Sequence, residues 1–320
     1  MATATEVELN GQDLKKAFKE AGVYIEQHVD EVNALNVFPV PDGDTGINMF
    51  LTMKSAIEAA EKADPSSAGI VAASAAKGAI LGARGNSGVI LSQIMRGLAK
   101  GLEGKKTFSF TDFAHSLYIA SEQAYKVVEK PVEGTILTVI REVSEEASRI
   151  AERKAGFARA ITAVVVRARK TVKKTPELLP VLKEAGVVDA GAKGLYYFFK
   201  GMESAICRTK SSDTHSIRKT HTTAPPVRKE AKRVYGFDVQ FLLEGESLPV
   251  EEIRDRIIAS GECPLVVGDE KLLKAHVHTM NPDGILNYAR SKGKLSDIVI
   301  EDMDQQVQEQ ARKGKQTSHQ

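Results

Sequence analysis

The spacing of apolar residues changes part of the way along this 320-residue chain. From about Gly11 to Cys207, apolar residues recur every three or four positions, which is the spacing of one helix face. Leu14, Phe18 and Ile25 show it in the first segment. The pattern predicts an all-α region of roughly eight helices, with no strand before residue 230. The predicted helices begin near Gly11 and continue at about 47–63, 67–81, 87–100, 111–129, 135–152, 158–175 and 190–205.

A different pattern begins at Tyr235. Apolar and polar residues alternate there as in a half-buried strand, and a helix with Pro at its start follows. Further short segments complete the order β-α-β-β-α-β, the split βαβ arrangement of ferredoxin-like folds. The chain is therefore predicted to be an α+β protein. The predicted elements of this second half lie at 235–243, 249–259, 264–267, 272–278, 282–291 and 298–301.

Two polar segments flank the second domain. Residues 208–233 are basic and poor in large apolar side chains, so they are predicted to be a flexible linker. The alternative is that their Lys and Arg residues contact an anionic partner. The end of the chain is predicted to be a polar tail with a frayed terminus. The expected boundaries are a helical domain at 8–207, the linker at 208–233, a ferredoxin-like domain at 234–303 and the tail at 304–320.

Composition narrows the function classes. The net charge is +2, which gives no electrostatic reason to expect nucleic acid as a partner. No run of about 18 apolar residues predicts a membrane span. The N-terminus does not have the pattern of a signal peptide, and Cys207 and Cys263 form no disulfide framework. These features predict a protein of the reducing cytoplasm.

The first candidate for chemistry is the loop Pro41-Asp42-Gly43-Asp44-Thr45-Gly46. Its two carboxylates would repel each other if they converged without a partner. Mg²⁺ relieves that conflict, because it prefers oxygen ligands and is typically held by one or two carboxylates together with substrate phosphates. The helix predicted after Gly46 would favour an anion at its start. The alternative is a Pro-Asp-Gly turn that binds no ligand.

Three more loops rich in Gly or Pro precede predicted helices, at residues 82–88, 130–135 and 189–194. Glycine lets backbone amides approach a phosphate closely. Ser87 is placed either to cap a helix or to bind a phosphate. No G-x-x-x-x-G-K-[ST] motif is present, so the chain is not a P-loop NTPase. Each loop alone is explained by helix capping or tight packing. Four such loops in one helical domain favour a nucleotide site at their shared end.

At these residues the chain resembles a known family. The stretches 35–46, 82–93, 130–138 and 187–194 look like the nucleotide-binding L subunit of dihydroxyacetone (glycerone) kinase, and most closely like the catalytic subunit of bacterial fatty acid kinase. The resemblance runs through nearly the whole chain. It implies an eight-helix barrel that binds Mg-ATP or ADP among its loops.

The resemblance also implies roles for individual residues. Asp42 and Asp44 match the carboxylates that hold Mg²⁺ and serve catalysis. Asn36 stands where dihydroxyacetone kinase subunits carry a further Asp, which leaves the number of metal ions open. The other residues that are expected around the nucleotide are Thr45, Gly46, Asn48, Gly85, Asn86, Ser87, Gly88, Thr135, Asp189 and Gly191.

The implied activity is transfer of the γ-phosphate of ATP to an acceptor that a partner protein presents. The expected acceptor is a fatty acid carboxylate, which would give an acyl phosphate for phospholipid metabolism. The alternatives are dihydroxyacetone on its own partner subunit, or a sensor or scaffold that binds ATP without turnover. Fatty acid kinase subunits continue into a domain that docks the fatty-acid-binding carrier, whereas this chain stops at Gln320. We therefore expect a separate polypeptide for that part, a fragment, or a reduced relative.

A second metal site is predicted from His276-Val277-His278. Side chains two apart on a strand share a face, and two imidazoles on one face suit Zn²⁺ if a further ligand arrives. Asp238, on the strand that is predicted to start at Tyr235, is the candidate for that ligand. The resemblance implies a zinc site in which this position is often Cys. The alternative is a pair of half-exposed histidines bonded to neighbours. A homodimer formed through the ferredoxin-like sheet is a further expectation.

Overall fold

The structure is a computed structural model that describes residues 8–153, 156–208 and 234–317, with side chains described as far as Arg312. Residues 209–233, which include nearly all of the predicted linker, lie outside the described residues. In the first domain, eight long helices form a closed ring in which each helix packs against two neighbours. The eight-helix arrangement that the sequence predicts is confirmed. The long helices are α1 (Gly11–Gln27), α3 (Thr45–Glu61), α4 (Ala68–Leu81), α5 (Gly85–Gly101), α6 (Phe110–Val127), α7 (Ile136–Ala151), α8 (Phe157–Leu178) and α10 (Ala190–Arg208).

Shorter elements complete this domain. The short helices α2 (Val29–Ala34) and α9 (Pro180–Ala185) lie between long ones. The expectation that no strand precedes residue 230 is wrong in one detail, because β1 (Leu9–Asn10) pairs antiparallel with β2 (Thr107–Phe108). Each of these strands has only two residues, which is too short to produce a detectable alternation of apolar and polar positions.

Local capping explains where several helices begin. Asn10 and Asp13 form a capping box at the start of α1, and Ser109 and Asp112 form another at the start of α6. Inside the ring, alanines and phenylalanines build one continuous core. The small alanine side chains let neighbouring helices approach closely, so the ring closes without a central channel in the described core.

The second domain is a four-stranded antiparallel sheet in the order β4-β5-β3-β6, covered on one face by α11 and α12. This order is the one expected for the split βαβ arrangement, so the predicted topology is confirmed. Val239, Phe241 and Val277 point toward the helices and form the core of the domain. The elements are β3 (Phe237–Glu244), α11 (Val250–Ile258), β4 (Glu262–Gly268), β5 (Leu272–Thr279), α12 (Pro282–Lys292) and β6 (Lys294–Asp302).

The predicted polar tail is a helix, α13 (Met303–Thr317), and the tail prediction is therefore wrong over these residues. Met303 is buried at its start, and the carboxylate of Asp304 accepts hydrogen bonds from the backbone N–H groups of Tyr235 and Gly236. These contacts hold the helix to the sheet although its own sequence is polar. Its side chain Gln310 lies against Gly43 in the barrel.

The face of the sheet that carries no helices packs on one end of the helical ring. Leu265 and Val267 of β4 form a small apolar cluster with Ala83 and Val89 of the barrel. Next to it, the guanidinium of Arg84 lies 2.9 Å from the carboxylate of Asp297 on β6. The end of the barrel at which α3 and α5 begin is therefore covered by the second domain.

Close approach of α5 and α6 generates a prediction about stability. A Cβ atom added at Gly97 would lie 2.3 Å from the Cα of Ala120. We expect Gly97→Ala to lower the free energy of unfolding by about 1–3 kcal/mol, because overpacking outweighs the better helix propensity of Ala. Urea denaturation measures this, with Gly156→Ala as the control, since a methyl group there meets nothing within 4 Å. Equal unfolding midpoints for the two variants would contradict the close packing.

Candidate functional site

A small cavity of about 30 Å³ lies where the sheet covers the barrel. The lining comes from the loop before α3, the first turn of α5 and the barrel-facing side of β3 and β5. The lining residues are Asn36, Phe38, Pro39, Val40, Asp42, Asp44, Thr45, Gly85, Asn86, Ser87, Asp238, His276 and His278.

Asn36 organises the acidic loop. Its side-chain oxygen accepts hydrogen bonds from the backbone N–H groups of Asp44 (3.2 Å) and Thr45 (3.1 Å) and from the Thr45 hydroxyl (2.7 Å). Its side-chain nitrogen donates to the carbonyl of Val40 at 2.9 Å. Both ends of this buried amide are therefore engaged within the loop. Asn36 holds the two carboxylates in place, and its oxygen has three partners before any metal is considered.

Asp42 and Asp44 are carboxyl groups whose ionised forms are disfavoured in this site. The pKa of Asp42 is raised well above its usual range, mainly by burial. The charge of Asp44, a hydrogen bond with Asp44 and the charge of Asp238 raise it further. Burial also raises the pKa of Asp44, although a hydrogen bond from Asn48 opposes that shift. A divalent cation between these carboxylates would remove the repulsion, as the sequence predicted.

The first turn of α5 lies directly beside the acidic loop. Gly85 has a positive φ of 56°, and a Cβ there would lie 2.4 Å from the side-chain nitrogen of Asn48. The position therefore needs glycine both for its backbone conformation and for its contact with Asn48. Asn86 and Ser87 follow in the same turn and line the cavity. Gly88 packs on the hydroxyl of Thr52, and the backbone N–H of Gly46 donates to Asn33 at 2.7 Å.

The three residues of the predicted histidine site lie together in the structure. Asp238, His276 and His278 are all buried, and one ligand atom from each lies within 4.8 Å of the others. The Asp238 Oδ1 and His276 Nδ1 atoms are 3.0 Å apart, yet their alignment is not that of a hydrogen bond. Both atoms, and the His276 Nε2, have no hydrogen-bond partner among the described residues. Buried polar atoms without partners that converge on one point are what a metal ion would satisfy.

The charge states of Asp238 and His278 also suit a metal. Burial, and then the charge of His276, lower the pKa of His278 to about 4, so its imidazole is neutral at neutral pH. Burial raises the pKa of Asp238, but the neighbouring His276 outweighs this effect and keeps the net pKa below its usual value. Neutral imidazole and ionised carboxylate are the forms that ligate zinc.

The structure joins two sites that the sequence presented as separate. The triad of the sheet domain and the carboxylates of the barrel line the same cavity, and the charge of Asp238 reaches both Asp42 and Asp44. A further carboxylate that the sequence did not point to, Glu301, is the cross-strand neighbour of Asp238. Burial and the charges of Asp238 and Asp44 raise the pKa of Glu301.

Gln240 is a second residue near the site that the sequence did not point to. It lies two positions after Asp238 on the same strand face and is 1% exposed. A buried polar residue in an alternating strand, at i+2 from a candidate ligand, is the signal that would have identified it. Its hydrogen bonds reach both domains, to Gly85 in the barrel and to Asp238 in the sheet.

Six expected nucleotide-site residues do not line this cavity. Gly46, Asn48 and Gly88 lie in the first turns of α3 and α5, beside residues that do line it, whereas Thr135, Asp189 and Gly191 lie at the starts of α7 and α10. Thr135 caps α7, where its hydroxyl accepts from the N–H of Leu137 and donates to the carbonyl of Val132. The Asp189 carboxylate accepts a hydrogen bond from the backbone N–H of Ala192 at 2.7 Å. Gly191 packs against Ile136, and a Cβ atom added at Gly191 would lie 3.3 Å from the Cβ of Ile136. Burial raises the pKa of Asp189 to about 7 despite backbone hydrogen bonds that lower it. The nucleotide roles of all six stay predictions, and the described contacts of Thr135, Asp189 and Gly191 join the starts of α7 and α10.

Both halves of the chain match known protein families. A family profile described as the DAK2 domain matches residues 39–204, and the middle domain of FakA-like fatty acid kinase proteins matches residues 234–310. Protein YloV of Bacillus subtilis is 39% identical over 310 residues, which cover 93% of this chain and 56% of YloV. An uncharacterized protein of Staphylococcus saprophyticus, SSP1546, is 38% identical over 300 residues, covering 90% of this chain and 54% of that protein.

Among solved structures, the dihydroxyacetone kinase of C. freundii is similar with a TM-score of 0.47 and 16% sequence identity. The match covers 64% of this chain and 37% of that one. The chain spans about half the length of YloV and SSP1546. No helix within the described residues is long and apolar enough to cross a membrane.

The hydrogen bonds of Asn36 generate a prediction about the acidic loop. We expect Asn36→Asp to lower the free energy of unfolding, measured in urea without divalent metal, by about 1–3 kcal/mol. A carboxylate cannot donate to the Val40 carbonyl, and it adds a further negative charge beside Asp42 and Asp44.

Asn33→Asp is the matched control for this prediction. The Asn33 oxygen accepts from the N–H groups of Gly46 and Ile47 at the start of α3, where a negative charge is favourable. This variant should keep or slightly increase stability. An equal loss in both variants would remove the special role of Asn36.

Proposed function

Because the chain belongs to the family that joins a DAK2 domain to a FakA-like fatty acid kinase middle domain, we propose that it is a Mg²⁺- and ATP-dependent kinase acting on an acceptor that a partner protein presents. The observation that carries this proposal is the convergence of Asp42 and Asp44 with the first turn of α5 in one cavity. Phosphoryl transfer depends mainly on positioning and charge neutralisation, and these residues supply both.

Each part of the site has a role in this proposal. Asp42 and Asp44 would hold Mg²⁺, which supplies positive charge to the phosphates when it is bound. The backbone amides of Asn86 and Ser87, in the first turn of α5, would bind phosphate oxygens. The amides at the start of α3 already donate to Asn33 and Asn36. Asn36 keeps the acidic loop in the conformation that brings the carboxylates together.

A fatty acid carboxylate is the acceptor that we propose, with an acyl phosphate as the product. The match of residues 234–310 to the middle domain of FakA-like fatty acid kinase proteins favours it over dihydroxyacetone. The lining of the cavity is mostly polar and offers no long apolar surface to an acyl chain, so the lipid would arrive on a fatty-acid-binding carrier. We further propose a homodimer formed through the sheet domain, and a cytoplasmic location.

We also propose that the triad Asp238, His276 and His278 binds Zn²⁺. The convergence of three buried ligand residues from two neighbouring strands, with polar atoms of Asp238 and His276 that lack hydrogen-bond partners among the described residues, supports this assignment. Zinc is usually four-coordinate, and the cavity next to the triad leaves a position for a non-protein ligand. A bound zinc ion would also offset part of the negative charge of Asp42 and Asp44.

Removing one carboxylate tests the kinase proposal. We expect Mg-ATP to raise the melting temperature of the wild-type protein by a few degrees, and Asp44→Asn to abolish that increase, because one metal ligand is lost. Differential scanning fluorimetry with ATP, with and without Mg²⁺, measures this effect. Asp255→Asn, on the exposed side of α11, is the matched control and should keep the full increase.

Two further results decide between the proposed activities. An unchanged Mg-ATP shift in Asp44→Asn would remove the central metal assignment. Release of ADP only when a fatty acid and its carrier are supplied would support the kinase. Tight Mg-ATP binding without transfer to any carrier would instead support a sensor.

Metal analysis tests the zinc proposal. Protein purified without added zinc should contain roughly one Zn²⁺ per chain, and His278→Ala should lose it, because two protein ligands rarely retain zinc. His115→Ala, on the exposed surface of α6, should keep the metal. A zinc content near zero in wild-type protein, in which His276 and its neighbours are intact, would refute the assignment.

A further inference from the structure

Gln240 is the one described side chain seen to hydrogen-bond both to the start of α5 in the barrel and to the metal triad in the sheet domain. Its side-chain oxygen accepts a hydrogen bond from the backbone N–H of Gly85 at 3.0 Å. Its side-chain nitrogen donates to Asp238 Oδ2 at 2.9 Å. With 1% of its surface exposed, the amide has no access to bulk water as an alternative partner.

The two partners fix the orientation of this amide. A backbone N–H can only donate, so the amide oxygen must face Gly85. An ionised carboxylate can only accept, so the amide nitrogen must face Asp238. Any rotation of the Gln240 amide would break both bonds and leave buried polar groups unpaired, at a cost of about 1–3 kcal/mol for each group.

Because of the hydrogen bond to Gln240, the two carboxylate oxygens of Asp238 have different surroundings. Oδ2 is engaged by Gln240, whereas Oδ1 lies 3.0 Å from His276 Nδ1 and has no hydrogen-bond partner among the described residues. A metal held by Oδ1 would restrict the rotation of the carboxylate and thereby the position of Oδ2. Through its two hydrogen bonds, Gln240 would then also restrict the position of the Gly85 backbone. Gly85 is the first residue of the turn that carries Asn86, Ser87 and Gly88.

We propose that Gln240 is a positioning residue that makes metal binding by Asp238, His276 and His278 and nucleotide binding at the start of α5 mutually dependent. The proposal rests on the nucleotide and zinc sites proposed above. By linkage, a metal that improves nucleotide affinity must itself be bound more tightly when the nucleotide is present. The affinities for two ligands on different domains would in this way be coupled through a single buried amide.

The chain offers a matched comparison in a second polar link between the domains. Arg84 of the barrel lies 2.9 Å from Asp297 of the sheet, and Asp297 also binds the buried Lys274 at 2.8 Å. This link joins the same two domains without touching a ligand atom of the triad. Arg84→Gln removes the ion pair between the domains and leaves Lys274 paired with Asp297.

The experiment measures the affinity for Mg-AMP-PNP by calorimetry, on protein loaded with zinc and then freed of excess metal, and on protein stripped by a chelator. In the wild type we expect zinc to tighten nucleotide binding by about 5- to 10-fold, within the usual range of coupling between sites. In Gln240→Leu the ratio of the two affinities should fall to within about twofold of one. Arg84→Gln should keep the wild-type ratio even if its absolute affinity changes.

Two further measurements protect the test from a trivial loss of folding. Gln240→Met keeps the length of the side chain but has no donor for Asp238 and only a weak acceptor for Gly85, so it should also lose the coupling. The release of zinc to a chromogenic chelator should slow when Mg-AMP-PNP is added to the wild type, and it should not change in Gln240→Leu. A merely structural role for Gln240 would shift the unfolding midpoint and leave both ratios as they are in the wild type.

The outcomes separate this inference from the proposed function. Equal nucleotide affinity with and without zinc in the wild type, or an undiminished ratio in the Gln240 variants, would overturn the coupling alone. No zinc uptake at all would overturn the zinc assignment and the coupling together. Absence of any Mg-AMP-PNP binding to zinc-loaded wild-type protein would overturn the proposed kinase, and the coupling with it.

Discussion

Negative charge concentrated in one small cavity is the constraint on which this structure depends. Asp42, Asp44 and Asp238 face a space of about 30 Å³, and the charge of Asp238 acts on both barrel carboxylates. Two like charges 4 Å apart repel by about 4 kcal/mol at an effective dielectric constant of 20, which is comparable with a large part of the stability of a domain. The chain holds these groups together through neutral hydrogen-bonding residues, Asn36 and Gln240, rather than through a neutralising Lys or Arg within the cavity lining. Such an arrangement leaves the neutralising role to a cation that binds from outside.

The sequence predicted the parts of this site better than their assembly. Helical periodicity, capping residues and strand alternation are local properties, and they identified the eight long helices, the split βαβ order, Asp42 with Asp44, and His276 with His278. The packing of the sheet on the barrel end depends on contacts between residues that are far apart in the sequence, such as Ala83 with Leu265, and no local pattern encodes such a contact. For this reason one composite site was predicted as two.

The same limit explains the errors in detail. Helix α13 has a polar sequence, and it is held by Met303 and Asp304 through contacts with the sheet rather than by an apolar face of its own. Asn36 was considered as a metal ligand because it occupies a position that carries Asp in related subunits. Its four hydrogen bonds depend on how the loop closes around it, which the identity of the residue alone does not reveal.

The balance between the two domains follows from these magnitudes. The apolar contact between them has few fully buried side chains, among which Leu265, Val267 and Val89 each contribute about 1.5–3 kcal/mol. Repulsion among the facing carboxylates acts against this contact, so the apolar contact alone does not determine how firmly the sheet is held on the barrel. Cations that neutralise the cavity would strengthen the association of the domains, and a closer association would in turn bring the ligands of both cations together. In the coupling that we propose, metal binding, domain docking and the shape of the loop at the start of α5 are parts of one equilibrium, and Gln240 is hydrogen-bonded to both domains at that point.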